Sequence, residues 1–310
     1  MVWRVSDISD LKGRLAVVTG SNSGTGYETA LVLAGRGADV IMAARNAGKA
    51  AAARRNILAV HPGASVQVED LDLASQASVA GFAGRLLEAG RPIDILVNNA
   101  GVMALPKRQV SVDGFELQMA TNYFGHFALT ARLLPLLTAG PARVVQVSSI
   151  VHRRGKIRLD DLNYETGYQP WPVYAQSKLA MLMFALELGR RSDANGWGLT
   201  SVAAHPGYAR TSLIENGPMI GNAVARAGLK HLFRPFIEPM ISHSAADGAL
   251  PIILAATSTE AKGGAYFGPT LLSEMKGPPG QAEIRPQARD AVVAAQLWSA
   301  SERLTGVRFG

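Results

Sequence analysis

RLAVVTGSNSGTG, residues 14–26, is the stretch that decides the fold of this chain. Its first part, residues 14–19, is mostly apolar and predicts a buried strand, and the Ala- and Leu-rich segment 24–37 predicts a helix. Between them, Gly20 permits a tight turn, and the later glycines of the motif let a ligand approach the free N–H groups at the helix amino terminus. A strand, a glycine-rich turn and a helix in this order are typical of a pyrophosphate-binding site, although the spacing differs from GxGxxG.

Short β-rich runs alternate with helical segments along the rest of the chain. Further strands are predicted over residues 39–43, 65–69, 93–97, 143–148 and 199–205, with a last short one near 265–267. Helices are predicted over residues 47–60, 75–89, 113–137 and 173–191, with a terminal one near 287–304. This alternation predicts an α/β fold in which a doubly wound, Rossmann-type parallel sheet carries helices on both faces.

The composition argues against several classes of protein. The chain has no cysteine, which removes disulfides and thiolate catalysis, and its six His residues form no HExxH-type pair, so no metal site is predicted. The formal net charge is +7, but Lys and Arg are scattered and do not alternate with aromatic residues, so no nucleic-acid partner is predicted. Residues 1–14 include no long apolar stretch, and a cytoplasmic protein is the expectation.

The domain organisation follows from the absence of any linker or change in composition. Residues 1–310 are predicted to form one nucleotide-binding domain, in which residues 212–244 interrupt the alternation and predict a helical insertion. We interpret this insertion as a lid over an apolar substrate pocket, with a membrane-surface contact or plain packing as the alternatives. The sequence leaves a homo-oligomer open, because helices that pack between subunits resemble those that pack in a core.

The second predicted strand ends in MAARN, where Ala44 is followed by Arg45. Many NAD-binding folds place a carboxylate here for the ribose 2′-hydroxyl, whereas a guanidinium pairs with a 2′-phosphate. Because no carboxylate competes at this point, NADP is predicted as the cofactor, with NAD as the alternative. The other interpretation of Arg45 is a plain surface residue.

Other polar or small residues also follow the predicted strands. Asp72 in EDLDL is a candidate acceptor for the adenine amino group, or else Asp70 or Asp72 caps the next helix. NNAG, residues 98–101, is a turn that can pass close to a ligand, and HPGYART places Pro206 and Gly207 in a rigid turn suited to a nicotinamide carboxamide. These candidates all fall at strand carboxyl ends, where open α/β sheets bind ligands.

A candidate catalytic pair lies in YAQSK, where Tyr174 and Lys178 are four residues apart and share one helix face. An ammonium so placed is expected to lower the pKa of the phenol toward working pH. Ser149 ends the fifth predicted strand in VVQVSS. Each signal is weak alone, but together, and downstream of a nucleotide-binding turn, they indicate hydride-transfer chemistry. The loop between them provides candidate walls of a substrate cleft: His152, Arg153, Arg154, Tyr168 and Trp171.

By these motifs the chain resembles the short-chain dehydrogenase/reductase family over nearly its whole length. The matching motifs are TGSNSGTG, NNAG, Asn122 in TNYFGHF, Ser149, YAQSK, and HPG with Thr211. Within the family it looks most like the branch of retinol dehydrogenases and their bacterial relatives, through SNSG, NYFGHF, SKLA, YFGP and LWSASERLTG. Two departures are Thr25, where many relatives carry an aliphatic residue, and the long loop 151–172.

The resemblance implies a role for each matching residue. Tyr174 is implied as general acid or base, Lys178 as the partner of the nicotinamide ribose, and Ser149 as a hydrogen-bond donor to the substrate oxygen. Asn122 is implied as the anchor of a water that links Lys178 to solvent, a helix kink or buried hydrogen bond being the alternative. The cofactor-binding residues are expected to be Gly20, Ser21, Asn22, Ser23, Gly24, Thr25, Gly26, Arg45, Asp72, Leu73, Asn99, Ala100, Gly101, Tyr174, Lys178, Pro206, Gly207 and Thr211.

The leading hypothesis is an NADP(H)-dependent enzyme that interconverts an alcohol and a carbonyl on a lipophilic small molecule. Met103, Leu105, Trp171 and the apolar residues of the 212–244 segment suggest a hydrophobic pocket, although each is also compatible with the core. The alternatives are a nucleotide-sensing protein without catalysis and a reductase of carbon–carbon double bonds. Neither the substrate nor the direction of the reaction follows from the sequence.

Overall fold

The computed structural model describes residues 3–208 and 243–310 of the chain, and an eight-stranded sheet runs through them. Its strands are Leu15–Thr19 (β1), Asp39–Ala44 (β2), Val66–Asp70 (β3), Ile95–Asn98 (β4), Arg143–Val147 (β5), Thr200–Ala204 (β6), Tyr266–Leu271 (β7) and Lys276–Gln281 (β8). The order across the sheet is β3-β2-β1-β4-β5-β6-β7-β8, parallel except for the antiparallel last pair. The α/β, doubly wound fold is therefore confirmed.

Helices connect the strands and cover both faces of the sheet. They are Gly24–Gly35 (α1), Ala47–Val60 (α2), Gln76–Ala89 (α3), Leu117–Met119 (α4), Gly125–Arg132 (α5), Leu134–Leu137 (α6), Pro170–Asn195 (α7), Ala245–Thr257 (α8) and Ala291–Thr305 (α9). The longest of these, α7, begins with Pro170 at its first position, and the residue after its end is Gly196, whose φ of 67° is left-handed. Both are favoured end signals of a helix.

Two apolar cores lie on opposite faces of the sheet. Val17 of β1 belongs to the core formed with α3, α5, α7 and α9, whereas Val18 belongs to the core formed with α1 and α8. In the first core, the Trp298 ring centroid lies 4.4 Å from that of Phe309 and 5.1 Å from that of Phe127. Burial on both faces explains the continuous apolar runs of the strands, and each large buried side chain contributes roughly 1.5–3 kcal/mol to stability.

The predicted helix over residues 113–137 is divided in the structure. It begins only at α4, because Gly114 adopts a left-handed φ of 86° and the Glu116 side chain caps the helix by accepting from Met119 N. A π-helix, Ala120–Phe124, then precedes α5. Such wide turns often mark functional sites. The other predicted helices have ends within a few residues of the observed ones, and α2 matches its prediction.

β8 was not predicted from the sequence. Its sequence, KGPPGQ, has two prolines and two glycines and so lacks the β-branched residues that signal a strand. It forms because it pairs antiparallel with β7 at the edge of the sheet, where a proline costs least. The chain turns between β7 and β8 through three successive left-handed residues, Leu272, Ser273 and Glu274.

Residues 212–242 of the predicted helical insertion lie outside the described residues, as does Thr211. The end of that segment is described, and Ser244 caps α8 by accepting a hydrogen bond from Asp247 N. No helix in residues 3–208 or 243–310 has both the length and the apolar character needed to cross a membrane.

Candidate active site

The glycine-rich turn lies at the sheet's topological switch point, where β1 has β2 on one side and β4 on the other. Gly20 has a left-handed φ of 65°, and a Cβ added to it would lie 2.8 Å from Ala100 Cα. A Cβ on Gly26 would lie 2.6 Å from Gly20 O, so neither glycine tolerates a side chain. The two glycines leave backbone N–H groups open to a ligand at the start of α1.

The buried Ser21 hydroxyl has no hydrogen-bond partner among the described residues. A buried polar atom without a partner is costly, and such an atom in a phosphate-binding turn fits a ligand oxygen. This hydroxyl and the glycine cradle together fit the pyrophosphate of a dinucleotide.

Thr25, the departure from the family pattern, has a structural function. Its hydroxyl donates to Asn99 Oδ1 at 3.0 Å, while Asn99 Nδ2 donates to Thr19 O at 2.9 Å. The two bonds join the glycine turn to the turn after β4. Asn98, the residue before, is buried beneath the site and donates to Thr130 Oγ1 and Gln146 Oε1. Asn98 therefore supports the sheet and takes no direct part in the cleft.

At the adenosine end, Arg45 and Asp72 lie close to each other. Arg45 Nη1 is 3.9 Å from Asp72 Oδ2, and the Arg45 side chain is 70% exposed. An exposed pair of this kind contributes little to stability, so Arg45 is available to a ligand. Asp72 Oδ1 accepts from Ala74 N, but the cap of α3 is Ser75, so capping by Asp70 or Asp72 is not observed.

Three of the four predicted catalytic residues meet where β5 ends against α7. The Ser149 side chain lies beside the Tyr174 hydroxyl and lowers its pKa, and Lys178 Nζ lies 5.9 Å from the Tyr174 ring centroid. Ser148 holds α7 against the end of β5, because its hydroxyl donates to Lys178 O at 2.7 Å. Lys178 Nζ in turn donates to Val147 O at 3.0 Å.

The pKa shifts of Tyr174 and Lys178 correct one expectation. Burial raises the pKa of Tyr174 to about 12, and the hydrogen bond to Ser149 offsets only part of this rise. Burial lowers the pKa of Lys178 to about 8. The expected net fall of the phenol pKa toward working pH is not found, because the loss of hydration outweighs the stabilisation of the phenolate by an ammonium 5.9 Å from the ring.

The fourth residue, Asn122, lies in the π-helix and uses its side chain to hold the turn after β4. Its Oδ1 accepts from Val102 N at 2.8 Å, and its Nδ2 donates to Val102 O at 2.9 Å and to Ser177 Oγ at 2.9 Å. These bonds agree with the alternative interpretation of Asn122, in which its side chain makes buried hydrogen bonds. The water-anchoring role stays a prediction. A Cβ on Gly101 would lie 3.1 Å from Asn122 Oδ1 and 3.4 Å from Lys178 Nζ, so the turn runs beside Lys178.

The Pro206–Gly207 turn is supported by a network that sequence analysis did not find. Gly207 has a φ of 65° and donates its N–H to His205 Nδ1 at 3.2 Å, and His205 Nε2 lies 3.0 Å from Glu274 Oε2. Burial lowers the pKa of His205, so its neutral imidazole donates to Glu274. Arg153 lies 2.9 Å from the same carboxylate. In the sequence, the feature that could have indicated this network is the pair of polar residues Ser273 and Glu274 in the short turn before β8.

The predicted cleft walls divide into two groups. Trp171 is 44% exposed, and its ring packs edge-on to Tyr174 with centroids 6.1 Å apart, so it lies at the mouth of the site. Leu105 lies against the same loop: its side chain is half-buried, and its carbonyl oxygen accepts a hydrogen bond from the Tyr168 hydroxyl at 2.7 Å. His152 is instead fully buried against Ser149 O, and Arg153 pairs with Glu274, so these two residues support the site from behind.

A doubly wound sheet with a glycine cradle at its switch point and a Ser, Tyr and Lys group at the adjacent strand end defines a dinucleotide-binding oxidoreductase. The sequence profile described as short chain dehydrogenase matches residues 14–218. The chain belongs to the short-chain dehydrogenase family, within its retinol dehydrogenase-like branch.

Individual relatives resemble nearly the whole chain. It is 38% identical over 299 residues to human (Homo sapiens) retinol dehydrogenase 13, covering 96% of this chain and 86% of that protein. It is 37% identical over 303 residues to mouse (Mus musculus) polyprenol dehydrogenase, covering 96% and 85%.

Solved structures extend the likeness to the backbone. An uncharacterized protein from Mycobacterium paratuberculosis is 39% identical, with a TM-score of 0.81 and full coverage of both chains. A short chain dehydrogenase from Burkholderia cenocepacia, solved in complex with NADP, is 26% identical, with a TM-score of 0.59 and coverage of 80% of this chain and 92% of that one. Family membership and these neighbours support binding of a nicotinamide cofactor.

Proposed function

We propose that this protein is an NADP(H)-dependent oxidoreductase that interconverts an alcohol and a carbonyl on a lipophilic small molecule. The observation that carries the proposal is the meeting of the Ser149, Tyr174 and Lys178 side chains at the ligand-binding edge of the sheet. Lys178 lies one helical turn from Tyr174, with its ammonium 5.9 Å from the ring centroid. These groups are suited to hold and protonate one substrate oxygen.

In carbonyl reduction, Tyr174 donates its proton to the substrate oxygen and Ser149 donates a hydrogen bond to the same atom. A phenol with a pKa of about 12 is protonated at neutral pH, which is the form that reduction needs. The nearby ammonium of Lys178 stabilises the phenolate left behind, and in alcohol oxidation Tyr174 acts as the base. When bound, the nicotinamide supplies or accepts the hydride.

The cofactor-binding residues are proposed along the strand ends. The turn at residues 20–26 would hold the pyrophosphate, and Arg45 would hold a 2′-phosphate, with Asp72 and Leu73 at the adenine. Asn99, Ala100 and Gly101 would line the ribose side, and Pro206 and Gly207 the nicotinamide. Thr211, outside the described residues, is proposed from the sequence motif alone. The exposure of Arg45 and the presence of Ala44, not a carboxylate, at the end of β2 support NADP over NAD.

The lipophilic substrate class rests on two independent observations. Trp171 exposes an aromatic ring beside Tyr174, and Met103 and Leu105, which follow the turn after β4, are only half-buried. The retinol and polyprenol dehydrogenases that this chain resembles are named for long apolar alcohols. Both observations favour an apolar chain or ring next to the reacting carbon.

The test is NADPH consumption by the purified protein with a panel of aldehydes and ketones. The panel pairs long-chain aldehydes with short hydrophilic ones of the same reactive group, and it includes an enone whose products are identified separately. We expect turnover of the long-chain aldehydes and a rise in kcat/KM with chain length. A protein that binds NADPH and consumes none would be a sensor, and saturation of the enone's carbon–carbon bond would support the reductase alternative; either result would overturn the proposal.

Replacing Arg45 by Ala is expected to raise the Kd for NADPH by roughly 10- to 100-fold, the effect of losing a charge-assisted hydrogen bond. The Kd for NADH should stay within about twofold, since NADH has no 2′-phosphate for the guanidinium. Binding is measured by nicotinamide fluorescence. The matched control is Arg55→Ala, which also removes an exposed positive charge, in this case from α2. Equal losses for the two cofactors would contradict the assigned role of Arg45.

A further inference from the structure

His126 of α5 is a fully buried imidazole that the proposed chemistry does not use. Both of its ring nitrogens are engaged by groups next to the site. Nδ1 lies 2.9 Å from the main-chain oxygen of Asn122, and Nε2 lies 2.9 Å from the hydroxyl oxygen of Thr19, at the end of β1. This buried titratable side chain therefore connects the segment that carries Asn122 to the end of β1, beside the proposed cofactor site.

The partners define the tautomer of the ring. The carbonyl of Asn122 can only accept, so Nδ1 carries the proton and Nε2 presents its lone pair. The Thr19 hydroxyl accepts from the N–H groups of Asn99 at 2.9 Å and Ala100 at 3.0 Å, and its own proton is then directed to His126. The competing acceptor, Val97 O, is farther away, at 3.3 Å. Burial lowers the pKa of His126 to about 3, so the ring is neutral at ordinary pH.

Two clamps hold the turn after β4, which we define as residues 99–102. The first clamp is the Thr19 hydroxyl, which binds the N–H groups of Asn99 and Ala100. The second is the Asn122 side chain, which binds both the N–H and the C=O of Val102. Gly101 lies between the clamps, and a Cβ added to it would lie 3.1 Å from Asn122 Oδ1 and in contact with Lys178 Nζ at 3.4 Å.

We propose that His126 is a positioning residue, which joins the two clamps through a neutral, Nδ1-protonated imidazole and so holds the 99–102 turn against Lys178. The inference rests on the proposed function and deepens it. His126 touches neither substrate nor cofactor, and it acts through Thr19 and Asn122. Its removal lets the turn shift relative to the lysine, and a displacement of about 1 Å at a reacting site can cost about 100-fold in rate.

Three variants separate positioning from general support. His126→Leu removes both hydrogen bonds, whereas His126→Asn keeps an N–H donor where Nδ1 stood and loses the link to Thr19. Thr19→Val keeps the shape of the side chain at the end of β1 and removes the hydroxyl that binds Asn99, Ala100 and His126. We expect kcat per folded molecule to fall roughly 10- to 100-fold in His126→Leu, with the substrate KM within about threefold, and to recover in part in His126→Asn. Adding Thr19→Val to His126→Leu should cost less than the sum of the two single losses, because both changes act on one network.

Amide hydrogen exchange supplies a readout that does not depend on turnover. We expect faster exchange at Ala100 and Val102 in His126→Leu, with an unchanged rate at a distant buried strand such as β6. Unchanged exchange at these two amides overturns the inference, whatever the activity. So does a kcat loss that matches the loss of folded protein, or additive losses in the double variant. An inactive wild type, by contrast, would defeat the proposed function while the exchange measurement still decides the role of His126.

Discussion

Tyr174→Phe is expected to lower kcat by about 10³-fold or more while changing the Kd for NADPH by no more than about threefold. The substitution removes one oxygen and keeps the ring, so the edge-on contact with Trp171 and the packing of α7 survive. The lost atom is the proposed proton donor, which lies beside the Ser149 side chain. Steady-state kinetics and nicotinamide fluorescence on the same preparation measure the two quantities.

Tyr164→Phe is the matched control for this experiment. Tyr164 is as buried as Tyr174, but its ring packs under the Arg158 guanidinium, away from Ser149. The control should retain kcat within about twofold and lose only a small part of its stability. If Tyr174→Phe kept more than about a tenth of wild-type kcat, another group would have to supply the proton, and the assignment of Tyr174 would be wrong.

The sequence predicted the parts of the fold that depend on local pattern. Apolar runs bounded by glycine and polar turns located β1 to β6, and the helical segments between them predicted parallel pairing. The carboxyl ends of parallel strands share one edge, so Ser149, Arg45 and the glycine turn were expected to converge. The structure brings Ser149, Tyr174 and Lys178 together, and the family relationship is confirmed.

What the sequence could not show depends on distant contacts. β8 has proline and glycine where a strand pattern needs β-branched residues, and only its pairing with β7 makes it a strand. Glu274 looks like an ordinary turn residue, yet it meets His205 and Arg153 from other parts of the chain. The raised pKa of Tyr174 has the same origin, because burial depends on the whole fold and not on a four-residue spacing.

The buried ammonium of Lys178 is expected to lower the stability of the fold, and Lys178→Met should therefore be more stable and inactive. Burial lowers the pKa of this amine from an ordinary 10.5 to about 8. The unfolded chain thus binds the proton more tightly than the folded chain does, which costs about 3 kcal/mol at neutral pH. Methionine has nearly the same length and no charge, and it gives up only the bond to Val147 O, worth about 1 kcal/mol.

The pH dependence gives this prediction its sign. Below pH 8 the amine is protonated in both states and the full penalty applies, and above pH 8 the folded state sheds the proton first. The stability gap between Lys178→Met and wild type should therefore be widest near neutral pH and shrink as the pH rises from 8 toward 10.5. Denaturant unfolding across this range measures the gap. A gap that grew with pH would mean that the amine is not buried as described.

Lys178→Met should be less active although it is more stable. Comparing kcat with stability in this variant therefore tests whether the buried charge serves the reaction. We expect kcat in Lys178→Met to fall at least about 100-fold, because the phenolate of Tyr174 loses the cation that lies one helical turn away. A side chain that destabilises the fold and contributes nothing to turnover has no physical reason to lie under the site. A variant that became more stable and kept its kcat would show that Lys178 is structural, and the chemistry would have to be assigned to other groups.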